Sequence, residues 1–463
     1  MDFSQLIFWR ILIVALCAMK ACDFFLKSVN PSLRRKLYFL ILSWVMLGVI
    51  SMETLGIFLL VSIVAYGLCY WQVRKSLIGP RVTLSFLIPV LLLPLFYYKY
   101  ADFAVNGILN MDVSLVRDLV IPVGISFYSF QIIAFCIDTL IRKEEMPSLM
   151  DYLLFCSFFP QIVAGPIERK NDLLPQIQQF DPRIRAENLN TGLRYILVGI
   201  FFKSVLADNL AGLMRIGYDG NNGFVIWMNN LLFSMRIYFD FCGYGLSAYG
   251  LARCFNVTLK MNFWSPYTAC NMTEFWRRWH ITLTSWFRDY VYFPIKGSRT
   301  RRWWLNIIFV FLVSGIWHGA GWNFVIWGTL IGITMVIHRL FSTKGLGWRL
   351  PALLGWLVTI TTMTFIWMFF YITDLDLLLN NLATLANFRQ YECSFPLQGL
   401  ERHLLVWVVA ILTILTICLE AISMKWKNNP YWIFTHPIAI AIIMALVFIA
   451  QPGKTPSFIY FAF

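Results

Sequence analysis

The amino-acid sequence predicts an all-α protein that crosses a membrane many times. Of its 463 residues, 59% are hydrophobic and only 13% are charged, and the mean hydropathy is +0.67. Soluble domains carry about 45–50% apolar and about 25% charged residues. Apolar runs that can cross a hydrocarbon core of about 30 Å, which takes about 20 helical residues, recur along the whole chain, so we expect about 11 to 13 transmembrane helices.

The predicted spans follow one another with short polar loops between them. Their cores are 6–26, 37–50, 55–71, 84–98, 119–141, 150–166, 191–207, 224–250, 303–317, 322–341 and 352–372, with two more near 404–423 and 433–450. The run 6–26 follows an acidic leader without a small-residue cleavage site, so we expect it to stay as an anchor. Four basic residues within 27–36 and none within 51–54 place the N-terminus outside and the 27–36 loop in the cytoplasm.

The net charge of +14 does not indicate nucleic-acid binding, because the basic residues lie in short loops between apolar runs. Topology and contact with anionic membrane lipid account for them. The 10 cysteines include no C-x-x-C pair and most lie in apolar runs, so we expect neither a disulfide framework nor a metal site.

No linker, low-complexity tract or repeat divides the chain, so we expect one membrane-embedded domain over 1–463. Three polar stretches interrupt it, at 168–190, 253–302 and 374–403. The segment 253–302 is dense in aromatic residues as well as arginine, which ordinary solvated loops are not. We therefore expect 253–302 to be embedded in the membrane domain.

The centre of that segment, 274–294, can be placed on one amphipathic helix that ends at Pro294. Aromatic residues follow one side, and Arg277, His280, Thr284 and Arg288 follow the other. One interpretation is an interfacial helix with its arginines in water. The other is a cytoplasmic vestibule, where a phosphate-bearing thioester donor docks against Arg277, Arg278 or Arg288.

His318 lies within 303–337, 35 residues that contain no Lys, Arg, Asp or Glu. One helix of that length would span about 52 Å, so the segment must break, and Gly315, Gly319 and Gly321 mark the place. Here a histidine is either an interhelical hydrogen-bonding group or a functional residue. Because its pKa lies near ambient pH, a neutral imidazole is suited to act as a general base.

Two further patterns concern packing. Pro160, Gly165 and Pro166 predict a broken or re-entrant helix at 158–166. Five acidic residues sit in or beside apolar stretches, and we expect each to pair with a nearby basic or backbone group. They are Asp138, Asp208, Asp240, Glu274 and Asp289.

Several blocks of this sequence resemble the membrane-bound O-acyltransferase (MBOAT) family, in its bacterial branch of alginate and cellulose O-acetylation enzymes. They are 121-IPVGISFYSFQIIAFCID-138, 158-FFPQIVAGPIERKNDLLPQI-177, 236-RIYFDFCGYG-245, 273-TEFWRRWHITLTSWFRDYVYFPIKG-297, 315-GIWHGAGWNFVIWG-328 and 458-FIYFAF-463. The resemblance covers most of the chain from about residue 84 onward. The core motifs of the family lie within 84–340, and the first eighty residues carry none.

The resemblance implies a ring of tilted helices around a central catalytic tunnel. It implies His318 as the catalytic base and His280 as the second histidine of the bacterial pattern. We expect Trp279, Arg277, Arg288, Asp289, Trp317 and Asn306 to line the substrate path, with Asn306, Trp279, Trp317 or backbone amides near Gly319 as oxyanion donors.

The implied function is transfer of an acyl group, foremost acetyl, from a cytoplasmic thioester such as acetyl-CoA toward an extracytoplasmic polysaccharide such as alginate or cellulose. It requires no tightly bound cofactor. The resemblance also implies a separate extracytoplasmic acetyltransferase partner of the SGNH-like type, and a location in the bacterial inner membrane. Two alternatives stay open: D-alanyl transfer from a carrier protein to teichoic acid, and a transporter or flippase with histidine proton relays.

Overall fold

In a computed structural model of the chain, the regular secondary structure of the described part is helical. That part comprises residues 3, 6–25, 30–76, 78–111, 113–116, 119–181, 183, 185–214, 221–342, 346–348, 350–392, 400–450, 452 and 459. The helices are α1 Leu6–Phe25, α2 Pro31–Ile50, α3 Met52–Lys75, α4 Pro80–Leu95, α5 Ile125–Leu140, α6 Leu149–Ser157, α7 Lys170–Gln178, α8 Ala186–Ile200, α9 Asp208–Met214, α10 Gly223–Cys254, α11 Met272–Arg278, α12 Ile281–Phe287, α13 Trp303–His318, α14 Trp322–Phe341, α15 Ala352–Tyr371, α16 Leu375–Ala386, α17 Leu400–Lys427 and α18 Pro437–Ala450.

The protein is a multi-pass membrane protein. Within the described residues, six helical stretches are long and apolar enough to cross a membrane: Met52–Lys75, Pro80–Tyr100, Ala186–Met214, Trp322–Phe341, Ala352–Tyr371 and Trp407–Lys427. Shorter apolar helices are Leu6–Ala18, Ile125–Leu140, Trp303–His318, Leu375–Ala386 and Pro437–Ala450. Most predicted spans therefore correspond to a helix of the structure.

The predicted span 150–166 is wrong as a single helix, whereas the break predicted at 158–166 is confirmed. Helix α6 ends at Ser157, and the chain then runs without a helix to Lys170. This stretch is buried almost throughout. Gly165 N donates locally to Gln161 O at 2.7 Å, and Phe159 N donates to Ser43 Oγ of α2 at 3.2 Å. Protein groups therefore satisfy the backbone that the break exposes.

The chain divides into two compact units. Unit 1 comprises residues 1–196 and 247–260, and unit 2 comprises residues 197–246 and 261–463. Both predicted histidines belong to unit 2, together with α11 to α18. The single domain expected for 1–463 stays a prediction.

In unit 2, α13 and α14 form a helical hairpin that breaks where the sequence predicts it. Helix α13 ends at His318, and α14 begins at Trp322, so the glycines 319 and 321 lie in the turn. A Cβ at Gly315 would overlap Phe324 O, and one at Gly328 would overlap Phe311 O. The hairpin therefore requires glycine where the two backbones approach each other most closely.

The prediction of one amphipathic helix over 274–294 is wrong. Helix α11 ends at Arg278, Trp279 is extended, and α12 begins at Ile281. His280 between them has φ +42° and ψ 54°, in the left-handed region, which no α-helix continues through. His280 therefore leaves the polar stripe predicted for it: its side chain is buried, whereas Arg277 and Arg288 are exposed.

Many aromatic residues of 253–302 are buried within the protein. Phe263, Tyr267, Phe275 and Trp279 are each at most 2% exposed. A capping arrangement starts α11, because Asn271 Oδ1 accepts from Glu274 N at 2.9 Å and Glu274 Oε2 accepts from Cys270 N at 2.9 Å. The segment thus packs as protein core in spite of its charge.

All five acidic residues predicted to pair do so. Asp138 pairs with Arg142 at 3.0 Å, Glu274 pairs with Arg278, and Asp289 pairs with Arg288 at 2.8 Å. Lys203 Nζ bridges the two remaining carboxylates, at 2.6 Å from Asp208 and 2.9 Å from Asp240. These five carboxylates therefore each lie beside a basic side chain.

Candidate active site

His318 is the last residue of α13 and lies among aromatic rings of unit 2. Its side chain is 6% exposed. The ring centroids of Trp317, Trp327 and Phe370 lie 4.8, 5.0 and 5.3 Å from that of His318. The break after α13 thus places an imidazole at a helix end, inside an apolar surround.

His280 reaches the same surround from the turn between α11 and α12. Its side chain is 1% exposed, and the ring of Phe241 lies edge-on at 4.7 Å. Burial lowers the pKa of His280 from its ordinary 6.5 to about 3. The residue lies outside the candidate membrane spans, and at neutral pH its imidazole is uncharged.

Trp317 joins the two histidines. Its ring centroid lies 6.4 Å from that of His280 and 4.8 Å from that of His318. The indole is 4% exposed, so the contact between it and the two imidazoles is itself buried. Two segments of the chain that are 38 residues apart in sequence therefore converge on one indole ring.

A continuous set of stacked and edge-on rings extends from this point, which we call the aromatic cluster. It consists of Phe241, Phe263, Trp279, Trp317, Trp327, Trp367 and Phe370. Trp279 contacts Trp367 at 5.0 Å, and Trp367 stacks on Trp327 at 5.8 Å. Trp327 and Trp367 were not singled out from the sequence, although Trp327 lies in the quoted 315–328 block.

The charged residues predicted for the site do not join the aromatic cluster. Arg277 and Arg288 are exposed, and Arg288 is paired with Asp289. Arg278 is bound to the preceding turn, where it donates to Thr268 Oγ1 at 2.7 Å. A role for these arginines therefore has to be one of docking at a surface.

Asn306 also lies away from the histidines. It precedes His318 by twelve residues on α13, which is about 18 Å at the rise of a helix. Its Nδ2 donates to Gly297 O at 2.7 Å and to Thr300 Oγ1 at 3.1 Å. Asn306 fastens the loop before α13, and the structure does not bring it to either imidazole.

Sequence reasoning missed a buried polar network beside the aromatic cluster. Tyr238 Oη donates to Glu420 Oε1 at 2.6 Å, and Ser265 Oγ donates to Glu420 Oε2 at 3.1 Å. The Tyr238 ring in turn contacts Trp279 at 6.3 Å. Glu420 lies in α17, outside every motif, and no signal in the sequence connects it with Tyr238.

The site can perform proton transfer in a water-poor setting. Two imidazoles with different surroundings lie beside the same aromatic cluster. The cluster excludes bulk water and adds no competing nucleophile. In the described part of the chain, no three His, Cys, Asp or Glu side chains are grouped as a metal site. The available chemistry is general acid–base catalysis and binding to aromatic faces.

Comparison with known proteins decides the class of chemistry. The profile of the membrane-bound O-acyltransferase family matches residues 37–382, which is most of the chain. The chain belongs to the membrane-bound O-acyltransferase family. The match begins well before residue 84, so the family core is longer than the sequence motifs indicated.

Individual relatives agree with this membership. The chain is 32% identical over 420 residues to a peptidoglycan O-acetyltransferase of Helicobacter pylori, with 79% of this chain and 80% of the relative covered. It is 30% identical to a probable alginate O-acetylase AlgI of Azotobacter vinelandii, over 79% of this chain and 75% of the relative. A teichoic acid D-alanyltransferase of Bacillus subtilis is 31% identical over 49% of this chain and 61% of the relative.

Membership of the MBOAT family confirms the expected enzyme class. The protein is an acyltransferase, and the two relatives aligned over 79% of this chain are named an O-acetyltransferase and an O-acetylase. The transporter or flippase alternative is therefore set aside. Membership of the MBOAT family also implies an acyl donor as a co-substrate of the reaction.

Proposed function

We propose that this protein transfers an acetyl group from a cytoplasmic thioester, such as acetyl-CoA, toward a hydroxyl of an extracytoplasmic glycan. The observation that carries the proposal is the convergence of His280 and His318 on Trp317. Two relatives are named for the O-acetylation of peptidoglycan and of alginate. The acceptor we propose is accordingly a cell-envelope polysaccharide of the peptidoglycan or alginate type, acylated at the inner membrane.

His318 is the general base in this proposal. It takes the proton of the attacking hydroxyl as the oxygen bonds to the thioester carbonyl carbon. The tetrahedral oxyanion then collapses, the carbon–sulfur bond breaks, and the thiolate takes the proton back from the imidazolium. Histidine is the side chain most often used for such transient proton binding.

His280 has a different role. With a pKa of about 3 its imidazole stays neutral through the reaction and accepts a proton poorly. It is suited to hydrogen-bond and orient the acceptor hydroxyl or the thioester near His318. The difference in surroundings between the two rings supports assigning them separate tasks.

The aromatic cluster restrains hydrolysis. Water that reaches the thioester hydrolyses it without transferring the acyl group to the acceptor. An acyl-transfer site is therefore protected by walls without polar groups. Trp279, Trp327 and Trp367 are each at most 2% exposed and line such a wall. We propose that they flank a tunnel within a ring of helices, along which the donor and the acceptor approach.

Transfer of acetyl is favoured over transfer of D-alanyl by the extent of similarity. The O-acetyltransferase relatives align over 79% of this chain, whereas the D-alanyltransferase of Bacillus subtilis aligns over 49%. Relatives that share more of the chain share more of the surfaces that select donor and partner. We further propose an SGNH-like extracytoplasmic acetyltransferase as the partner that delivers the acetyl group to the polymer.

Purified protein in nanodiscs, supplied with radiolabelled acetyl-CoA and peptidoglycan or alginate fragments, with and without the candidate partner, tests the proposal. We expect CoA release that depends on the acceptor or the partner, and its loss by about 10³-fold or more in His318→Ala. His436→Ala is the matched control, because His436 is an exposed histidine away from the cluster. Equal turnover by His318→Ala would contradict the base assignment, and turnover only with a D-alanyl carrier would contradict the donor.

A further inference from the structure

The backbone at His280 has a conformation that L-residues seldom adopt. Its φ of +42° lies in the left-handed region, which costs a residue with a Cβ on the order of 1–2 kcal/mol. Such a conformation persists only where surrounding contacts enforce it, and neither neighbour of His280 is a glycine or a proline that would favour it locally. The cause has to lie elsewhere in the chain.

Asn262 supplies the contacts that enforce this turn. Its backbone oxygen accepts a hydrogen bond from Ile281 N at 2.8 Å. Its side-chain Oδ1 accepts from Thr282 Oγ1 at 2.5 Å and from Thr282 N at 3.3 Å. A backbone N–H can only donate, so the atom that faces Thr282 is the amide oxygen, which fixes the orientation of the Asn262 side chain.

The donors of these hydrogen bonds are Ile281 and Thr282, the two residues that directly follow His280. An ordinary helix cap acts from the residue just before the helix, through its own side chain, and His280 itself occupies that position in α12. Here the capping oxygen comes from a residue 18 positions upstream. Asn262 thus fixes the start of α12 and, with it, the backbone from which the imidazole projects.

Phe263, the residue after Asn262, extends the same restraint to the His280 ring. The Phe263 centroid lies 6.3 Å from His280 and 5.0 Å from Trp279. Trp264 N also donates to Arg278 O at 3.0 Å, so the 262–264 strand of chain is hydrogen-bonded on both sides of the turn. Asn262 itself is 3% exposed and therefore has little freedom to move.

We propose that Asn262 is a positioning residue of the acyl-transfer site, which holds the His280 imidazole against Trp317 through its bonds to Ile281 and Thr282. This inference rests on the proposed function only where it concerns activity. Loss of the side-chain bonds lets the turn at His280 relax toward common backbone angles. The ring then leaves its place beside Trp317 and becomes accessible.

Two disruptive variants and two controls test the proposal. Asn262→Ala removes Oδ1, and Thr282→Val removes the hydroxyl that donates to it, whereas Thr282→Ser keeps that hydroxyl. Asn229→Ala is the matched control, since Asn229 is also buried, at 4% exposed, and its Nδ2 donates to Val225 O within its own helix. Carbethoxylation of each histidine by diethyl pyrocarbonate, located by mass spectrometry, reports the exposure of His280 independently of activity.

We expect labelling of His280 to rise about tenfold in Asn262→Ala and less in Thr282→Val, with labelling of His318 unchanged. We expect kcat for CoA release to fall about 100-fold while KM for the donor changes less than twofold, since a displacement of about 1 Å costs that much. Thr282→Ser and Asn229→Ala should resemble the unmodified protein in both measurements.

Each other outcome decides a separate question. Unchanged labelling of His280 in Asn262→Ala and Thr282→Val overturns the positioning role, whether or not turnover falls. Increased labelling with unchanged turnover supports the positioning role and overturns the proposed part of His280 in the reaction. Equal labelling increases in Asn229→Ala would show general loosening of unit 2 and would likewise overturn the inference.

Discussion

Gly315 of α13 and Gly328 of α14 lie with their backbones in direct contact. A Cβ built on Gly315 would stand 3.1 Å from Gly328 Cα and would overlap Phe324 O. His318 follows Gly315 by three residues, and Trp327 precedes Gly328 by one. The close approach of the two helices therefore sets the 5.0 Å contact between the imidazole and the Trp327 indole.

Replacement of Gly315 by alanine should destabilise this hairpin. The added methyl group meets backbone atoms, which cannot rotate away, so we expect a loss of about 1–3 kcal/mol of unfolding free energy and a fall in turnover. Thermal unfolding in detergent and CoA release measure the two effects. Gly67→Ala in α3 is the control, since a Cβ there meets no protein atom within 4 Å. Equal stability of the two variants would show that the approach of α13 and α14 is not constrained by glycine.

The depressed pKa of His280 predicts a dependence of stability on acid. The unfolded chain titrates this imidazole near 6.5, whereas burial lowers its pKa to about 3 in the folded protein. Between pH 3 and pH 6.5 the unfolded state binds more protons than the folded state. The stability that depends on this imidazole is therefore fully present above pH 6.5 and is lost as the pH falls toward 3. The slope is about 1.4 kcal/mol per pH unit.

His280→Asn removes the titrating group and should flatten this slope. Unfolding followed from pH 7.5 to pH 5 should therefore show a smaller acid-induced loss of stability in His280→Asn than in the unmodified protein. His436→Asn, at an exposed histidine, should keep the original slope. The burial argument fails if all three proteins lose stability in parallel.

Glu168, which lies in unit 1, predicts the opposite dependence of folding stability on pH. Burial raises the pKa of its carboxyl from 4.5 to about 7, and the hydrogen bond from Lys260 N, at 2.6 Å, offsets only part of this. The folded state therefore binds the extra proton between pH 4.5 and 7. The stabilisation from this proton is present below pH 4.5 and is lost as pH rises through 7.

Glu168→Gln keeps an oxygen acceptor for Lys260 N but cannot ionise. We expect this variant to gain stability relative to the unmodified protein as pH rises from 5 to 8, by up to about 3 kcal/mol. Glu187→Gln is a suitable control, because Glu187 is exposed on α8. A difference between Glu168→Gln and the unmodified protein that does not vary with pH would mean that Glu168 stays ionised when buried.

Periodicity and glycine placement made much of the fold predictable. The break between α13 and α14 followed from a charge-free stretch too long for one span and from glycines at its middle. These signals are local, and the structure places His318 at the helix end accordingly. The pairing of the five acidic residues was also predictable, since a carboxylate in or beside an apolar stretch is stabilised by a charged or hydrogen-bonding partner.

The break at His280 was not predictable from local sequence. The stretch 274–294 has helical periodicity and no glycine, and its kink depends on hydrogen bonds from Asn262. The bond between Tyr238 and Glu420 likewise joins residues 182 positions apart. Tertiary contacts of this kind override helical pattern and leave no trace in a single sequence.

Arg277 and Arg288 supply the last prediction, because both are exposed on the segment that carries His280. If an anionic thioester donor docks there, the double variant Arg277→Ala/Arg288→Ala should raise KM for acetyl-CoA roughly threefold to tenfold, since exposed ion pairs contribute about 1 kcal/mol or less each. The kcat should change little, because neither guanidinium reaches the aromatic cluster.

The KM of the unmodified protein should rise with salt concentration, and that of the variant should rise less. Arg183→Ala, at a side chain 74% exposed in unit 1, should leave KM unchanged. The same KM and salt response in the double variant as in the unmodified protein would place donor docking elsewhere.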